Sequence, residues 1–166
     1  MITVLGLDPA SVKTGYAIAH GPDDVVDAGI LLPCRTRDPA VQRVVDVGRE
    51  LAALIDEHKP DFAVVEIPSG HVRGKFNGAG LTIYGMAVGY MLRVCVEKLP
   101  DARVECIDEQ TWTAAVPKRR RQNAVATICK RYAQGRHADT GADAADAIGL
   151  LLYWFAVQQA RAKVTA

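Results

Sequence analysis

None of the four cysteines (Cys34, Cys95, Cys106 and Cys129) sits in a CxxC pair, so the usual spacing of a structural zinc site is missing. No basic n-region precedes "MITVLGLD", and a secretory signal is not expected. The cysteines then read as reduced thiols of a cytoplasmic protein, packed as small apolar residues. Net charge is almost absent, +1 over 166 residues, so attraction for an acidic partner has to come from a local patch. Long apolar runs are lacking too. The most apolar stretch, Leu81 to Val96, is broken by Thr82, Gly85, Gly89 and Arg93 and falls short of the roughly 18 residues that suggest a membrane span. Repeats, low-complexity segments and linkers do not occur. What remains is a 49% hydrophobic chain of a size that suits one domain with a real core, residues 1–166.

Hydrophobic patterning supplies the elements. Residues 2–8 read as a buried strand. Residues 15–20 and 25–32 read as two more, joined through Gly21-Pro22-Asp23-Asp24 as a hairpin. Asp38-Pro39 opens a helix with Val41, Val44, Val45, Leu51, Leu54 and Ile55 near helical spacing, and Lys59-Pro60 stops it. "DFAVVEI" (61–67) is a fourth strand, followed by a glycine-rich loop (68–80) and a helix over 81–97 that is apolar almost all round. A short strand at 103–107, helical stretches near 109–115 and 118–134, and a last helix from about 141 to 163 complete the chain. An antiparallel start followed by strand–helix alternation predicts an α/β fold, with a mixed five-stranded sheet flanked by helices.

Acids stand at telling places in that order. "GLDPASVKTGYAIAH" puts Asp8 at the end of the first strand, where an unpaired carboxylate is costly unless a cation or water meets it. Glu66 stands near the end of the fourth strand. In parallel neighbours the two ends would lie side by side. Asp143 and Asp146 in "DTGADAADAIGLLLYW" are i and i+3 on the last helix, with Cβ atoms roughly 5–6 Å apart on one face. Asp143 also suits a capping box with Thr140, a role that leaves Asp146 unexplained. Brought together, Asp8, Glu66, Asp143 and Asp146 would suit hard divalent cations such as Mg²⁺. Two such ions about 3.5–4 Å apart would clamp the attacking and leaving oxygens of a phosphodiester.

"LGLDPASVKTGYAI", "VVEI" and "DAADAIGLL", in that order over about residues 2–155, resemble the RuvC family of Holliday junction resolvases in the RNase H-like superfamily. The resemblance implies catalytic, metal-holding Asp8, Glu66, Asp143 and Asp146. It implies two Mg²⁺ ions per active site, with Mn²⁺ able to substitute, and hydrolysis leaving 5′-phosphate and 3′-hydroxyl ends. It also implies a homodimer that cuts two strands of a DNA junction in recombination and repair, with helix 81–97 where that family builds its dimer interface. The stretch around Trp112, "DEQTWTAAVPKRRRQNAV", is more like phage and other divergent members than the housekeeping enzyme. One departure stands out. Housekeeping members carry a junction-stacking phenylalanine soon after the glutamate, whereas here the stretch is Ile67-Pro68-Ser69-Gly70 and the first aromatic is Phe76.

Between Lys118 and Arg136 there are seven Lys or Arg and no acid: Lys118, Arg119, Arg120, Arg121, Lys130, Arg131 and Arg136. Such a run either meets phosphates or is a solvated helix face. His71, Arg73 and Lys75 in the glycine-rich loop either line a DNA path or sit on an ordinary surface loop, and Lys13 either touches a phosphate or is a plain surface lysine. The sugar kinases and actin also place an aspartate after a first strand, but they need two such domains. A nuclease of the same fold acting on other branched or flapped DNA, or on an RNA precursor, would share every motif. A binding module without catalysis has no need of all four acids.

Overall fold

In the computed structural model the described residues are 2–10, 13–69, 78–99, 103–114, 116–132 and 143–165, of which 129, 130, 132 and 165 are described by backbone alone. They form β1 (Val4–Asp8), β2 (Thr14–Gly21), β3 (Asp24–Leu31), α1 (Ala40–His58), β4 (Phe62–Ile67), α2 (Gly78–Lys98), β5 (Val104–Asp108), α3 (Glu109–Thr113), α4 (Lys118–Tyr132) and α5 (Asp143–Thr165). The strands make one sheet in the order β3-β2-β1-β4-β5. β1, β2 and β3 pair antiparallel, and β4 lies parallel to both β1 and β5. This is the mixed sheet expected from the hairpin and the strand–helix alternation.

Val4, Leu5 and Leu7 of β1 are all fully buried, as a central strand covered on both faces requires. Successive side chains point to opposite faces, and they divide the core in two. Leu5, Leu7, Tyr16, Ile18, Ala63 and Val65 pack with the inner faces of α1 and α2. Val4, Ala17, Ala19 and Val64 pack on the other side against Trp112, Val125 and the apolar residues of α5. The stop after α1 has a clear cause: Lys59 adopts a left-handed backbone (φ 47°) and its N–H donates to the Ile55 carbonyl at 2.8 Å. Pro60 then blocks further turns.

Three expectations are corrected. α2 begins at Gly78, so it is longer than the 81–97 read from the sequence, and by length and composition alone it could cross a membrane. It lies along α1, where Gly48 leaves room for the Tyr90 ring, and buries Ala87, Val88, Met91, Val94 and Cys95. Leu81, Met86 and Val96 stay exposed on its other side. Among the cysteines whose side chains are described, Cys95 is packed as a small apolar residue, while Cys34 and Cys106 are exposed; Cys129 is described by backbone alone. Cys106 stands on β5, an edge strand, and Cys34 follows the end of β3 at the opposite edge. The start expected for the last helix at 141 lies outside the described residues, as do Thr140, His71, Arg73, Lys75, Phe76 and Arg136.

α5 lies unusually close to the sheet, and two glycines allow it. A Cβ on Gly6 would stand 2.6 Å from Leu151 Cγ and 2.9 Å from the Ala147 carbonyl oxygen. A Cβ on Gly15 would stand 2.1 Å from the carbonyl oxygen of Asp143. Neither backbone carbonyl can swing aside as a side chain could. Gly15→Ala should therefore cost about 1–3 kcal/mol or more through overpacking, read as a lower urea midpoint by circular dichroism. A midpoint matching the wild type would mean that α5 does not approach β2 in this way.

Candidate active site

Asp8 closes β1, and Glu66 is the last residue but one of β4. Leu7 pairs with Val65 in the parallel ladder, so the residues that follow, Asp8 and Glu66, are level on neighbouring strands. Each lies two residues beyond a member of the α5-facing row, Gly6 in β1 and Val64 in β4, and therefore points to that same face. In the antiparallel direction Asp8 pairs with Gly15, the glycine against which the start of α5 is seated. Asp143 opens α5 and Asp146 follows one turn later. The close docking of α5 thus carries both helix acids over the strand ends.

The four acids share one electrostatic field. Burial pushes the Asp8 carboxyl well above the ordinary carboxylate range, and the charges of Glu66, Asp146 and Asp143 push it further, with Lys118 opposing. Glu66 is raised to about 7, chiefly by burial, with Glu109 and Asp146 adding and the Trp112 hydrogen bond and Arg121 opposing. Asp146 is almost wholly buried, with side-chain exposure of 5%, and is met by two cations: Lys118 Nζ at 2.6 Å from Oδ2 and Arg121 Nη2 at 3.5 Å from Oδ1. Burial draws the Lys118 ammonium down, but its hydrogen bond to Asp146 and the attraction of Asp146, Asp8 and Asp143 outweigh that and raise it. Lys13 Nζ lies 4.0 Å from Asp143 Oδ2.

The basic run therefore divides. Arg119 and Arg120 are exposed, while Lys118 and Arg121 turn toward the acids. Arg121 is not part of a solvated face: it stacks on the Trp112 ring, 4.9 Å from guanidinium carbon to ring centroid, and donates to the Val116 carbonyl at 2.7 Å. Lys13 leans toward an acid as well.

Two residues of the site were missed in the sequence. Trp112 donates its indole N–H to Glu66 Oε2 at 2.7 Å, although the sequence marks it only as a feature of divergent relatives. Tyr84 reads from the sequence as part of an apolar interface. Its hydroxyl pKa is raised by burial first and then by Glu66, Asp8 and Glu109, which places it within reach of the pocket's charge.

The donor chemistry fits a hard divalent cation. Four carboxylates supply oxygen ligands, and the cost of burying their charge, to which their mutual repulsion adds in the raised Asp8 and Glu66, is what a cation would relieve. Among the described residues, however, no three of these acids converge tightly enough to enclose an ion, and Lys118 and Arg121 occupy the oxygens of Asp146.

No family model matches the chain. The crossover junction endodeoxyribonuclease RuvC of Nitratidesulfovibrio vulgaris is 36% identical over 97 residues, 57% of this chain and 55% of that relative. The protein of the same name from a Synechococcus species is 33% identical over 69 residues, 38% of this chain and 43% of that one. The chain spans about half the length of these curated relatives. Thermus thermophilus RuvC, solved in complex with a Holliday junction substrate, matches the fold with a TM-score of 0.69 at 17% identity, over 96% of this chain and 97% of that one. The chain thus shares the fold of the solved RuvC and is similar in sequence to curated RuvC proteins over about half of their length. A yeast mitochondrial Holliday junction resolvase shares the fold at a TM-score of 0.61 and 13% identity, over 92% of this chain and 78% of that one. The RuvC-like fold is RNase H-like, with the mixed five-stranded sheet and flanking helices described above.

The raised acids have a consequence for stability. With its pKa near 7 instead of 4.5, folded Glu66 holds a proton that the unfolded chain has released. Folding stability of the metal-free protein should therefore fall as pH rises through that window and stay low above it. Glu66→Gln should remove this loss and be more stable than wild type near pH 8 by roughly 1–3 kcal/mol, with the difference vanishing near pH 4. Urea titrations across this range would show it, and parallel curves for the two proteins would mean an ordinary carboxylate at position 66.

Proposed function

We propose that the chain is a single-domain, Mg²⁺-dependent, structure-selective endodeoxyribonuclease. In this reading it resolves four-way DNA junctions by paired hydrolytic cuts, in recombination and repair, in the cytoplasm. The observation that carries this reading is the meeting of Asp8 and Glu66, level on parallel strands, with Asp146 from the closely docked α5. The names of the curated relatives and the junction-bound structural neighbour support the choice of substrate.

Asp8, Glu66, Asp143 and Asp146 would hold two Mg²⁺ ions, with Mn²⁺ as a substitute. Such ions supply charge stabilisation at the attacking and leaving oxygens of a phosphodiester. The chain's own residues do the rest. Arg119 and Arg120, exposed at the start of α4, hold DNA phosphates without reading sequence; Arg73 and Lys75, which lie outside the described residues, would add phosphate contacts. Lys118 and Lys13, paired with Asp146 and Asp143 in the free protein, would exchange an acid for a phosphate when DNA binds. Arg121, held by Trp112 and Asp146, stays behind as part of the pocket wall. Hydrolysis leaves a 5′-phosphate and a 3′-hydroxyl.

A four-way junction has two-fold symmetry, and two matched cuts need two matched sites, which a symmetric dimer provides through one self-complementary surface. Leu81 and Met86 are exposed on α2, and beside them Gly85 and Gly89 have open space where a Cβ would stand. An exposed apolar helix face of this kind suits a second copy of the chain.

The central test compares Mg²⁺-dependent cleavage of a labelled four-way junction with flap, fork and RNA substrates. The junction should be preferred, and Asp8→Asn should cut roughly 10²–10³-fold more slowly, the scale of losing one preorganised electrostatic contact, with DNA binding retained. Preference for flap or RNA would move the assignment to another nuclease of this fold, and near wild-type cleavage by the variant would remove Asp8 from the site. For assembly, Leu81→Glu combined with Met86→Glu should sediment as a monomer and nick a cruciform-bearing plasmid that the wild type linearises. A wild type that sediments as a monomer while still making paired cuts would sink the dimer.

A further inference from the structure

β5 passes into α3 without a linker. The Asp108 carboxylate accepts the N–H groups of Gln110 at 2.8 Å and Thr111 at 3.3 Å, a side-chain cap that fixes the direction of this short helix. Ala114, with a left-handed backbone (φ 44°), ends it. Between these two anchors Trp112 is directed inward and is almost fully buried.

Its ring touches three elements that carry the pocket. The indole N–H donates to Glu66 Oε2 on β4 at 2.7 Å. The ring face carries the Arg121 guanidinium of α4, which reaches Asp146 Oδ1. The ring edge lies against α5 at Gly149, where a Cβ would stand 3.0 Å from Cζ3. Gly149 is i+3 from Asp146 and so shares its side of the helix. An indole has one donor and no acceptor, so it engages one lone pair of one carboxylate oxygen and does not itself engage Oε1. In a buried setting, rotation of the Glu66 carboxyl would strand that N–H.

We propose that Trp112 is the positioning residue of the acidic pocket, its N–H setting the orientation of Glu66 and its face holding Arg121 on Asp146. One side chain thereby sets a strand acid against a helix acid for divalent-cation binding. The inference rests on the nuclease reading for its purpose but not for its geometry. Trp154 supplies an internal control. It is buried to a similar degree and its indole N–H also donates to a carboxylate, Glu105 Oε2, at 2.7 Å. Glu105 lies on β5 and is not one of the four pocket acids. If Trp112 merely satisfied its own N–H within the core, the two tryptophans would be equivalent.

Trp112→Phe and Trp154→Phe are compared by Mn²⁺ binding without DNA, by the Mg²⁺ concentration for half-maximal cleavage, and by urea midpoint. Trp112→Phe should weaken Mn²⁺ binding about 10–100-fold, the range seen when a group orienting a metal ligand is lost. The Mg²⁺ requirement should rise in step, with cleavage partly recovered at saturating metal. Trp154→Phe should lower the urea midpoint while binding Mn²⁺ as the wild type does. If Trp112→Phe fails to fold, benzothienylalanine at position 112 keeps the shape of the ring without its N–H and should show the same loss of Mn²⁺ affinity. Wild-type Mn²⁺ affinity in either 112 variant, or an equal loss in Trp154→Phe, overturns the proposal. A wild type that binds Mn²⁺ but does not cut junctions overturns the junction reading alone, and the Mn²⁺ comparison still decides the role of Trp112.

Discussion

The mutual repulsion of carboxylates in a place with little water is the constraint around which this molecule is organised. Asp8, Glu66 and Asp146 are brought together against their own charge, and the surroundings answer in three ways. Lys118 and Arg121 meet Asp146 directly. The Trp112 N–H takes part of the Glu66 charge. Burial shifts what remains toward the protonated forms. A cluster of this kind opposes folding, so the surrounding core must outweigh it. The two apolar layers on either side of β1 and the tight seating of α5 supply that support. Strongly perturbed acids in general cluster at functional sites, which supports the role proposed for these four.

Much of this was legible because it follows short-range rules. The apolar run ending in Asp8, the Gly21-Pro22 turn and the Lys59-Pro60 stop are local signals, and each falls where it was expected. The pairing of Asp8 with Glu66 was legible as well, since parallel neighbours align their ends. The spacing of Asp143 and Asp146 needed only the helical period.

What the sequence hid depends on contacts between distant segments. The bond from Trp112 to Glu66 joins residues 46 positions apart, and no periodicity encodes it. Arg121 is adjacent in the chain to Arg119 and Arg120 and has the same chemistry, yet the turn of α4 sends it inward and leaves the other two in solvent. Cys106 resembles Cys95 in composition but stands on an edge strand. The glycines at positions 6 and 15 look like ordinary strand interruptions until the helix lying across them is known.

The seating of α5 on Gly6 and Gly15 also orders events in time. The strand acid Asp8 is synthesised before Asp146, which belongs to α5. A growing chain can pair its strands and cover one side of the sheet with α1 and α2 while the opposite side is still bare. During that interval Asp8 and Glu66 face water, without their helix partners. The acidic pocket is therefore completed only when α5 docks, and a polypeptide interrupted before α5 would carry the two strand acids without Asp143 and Asp146.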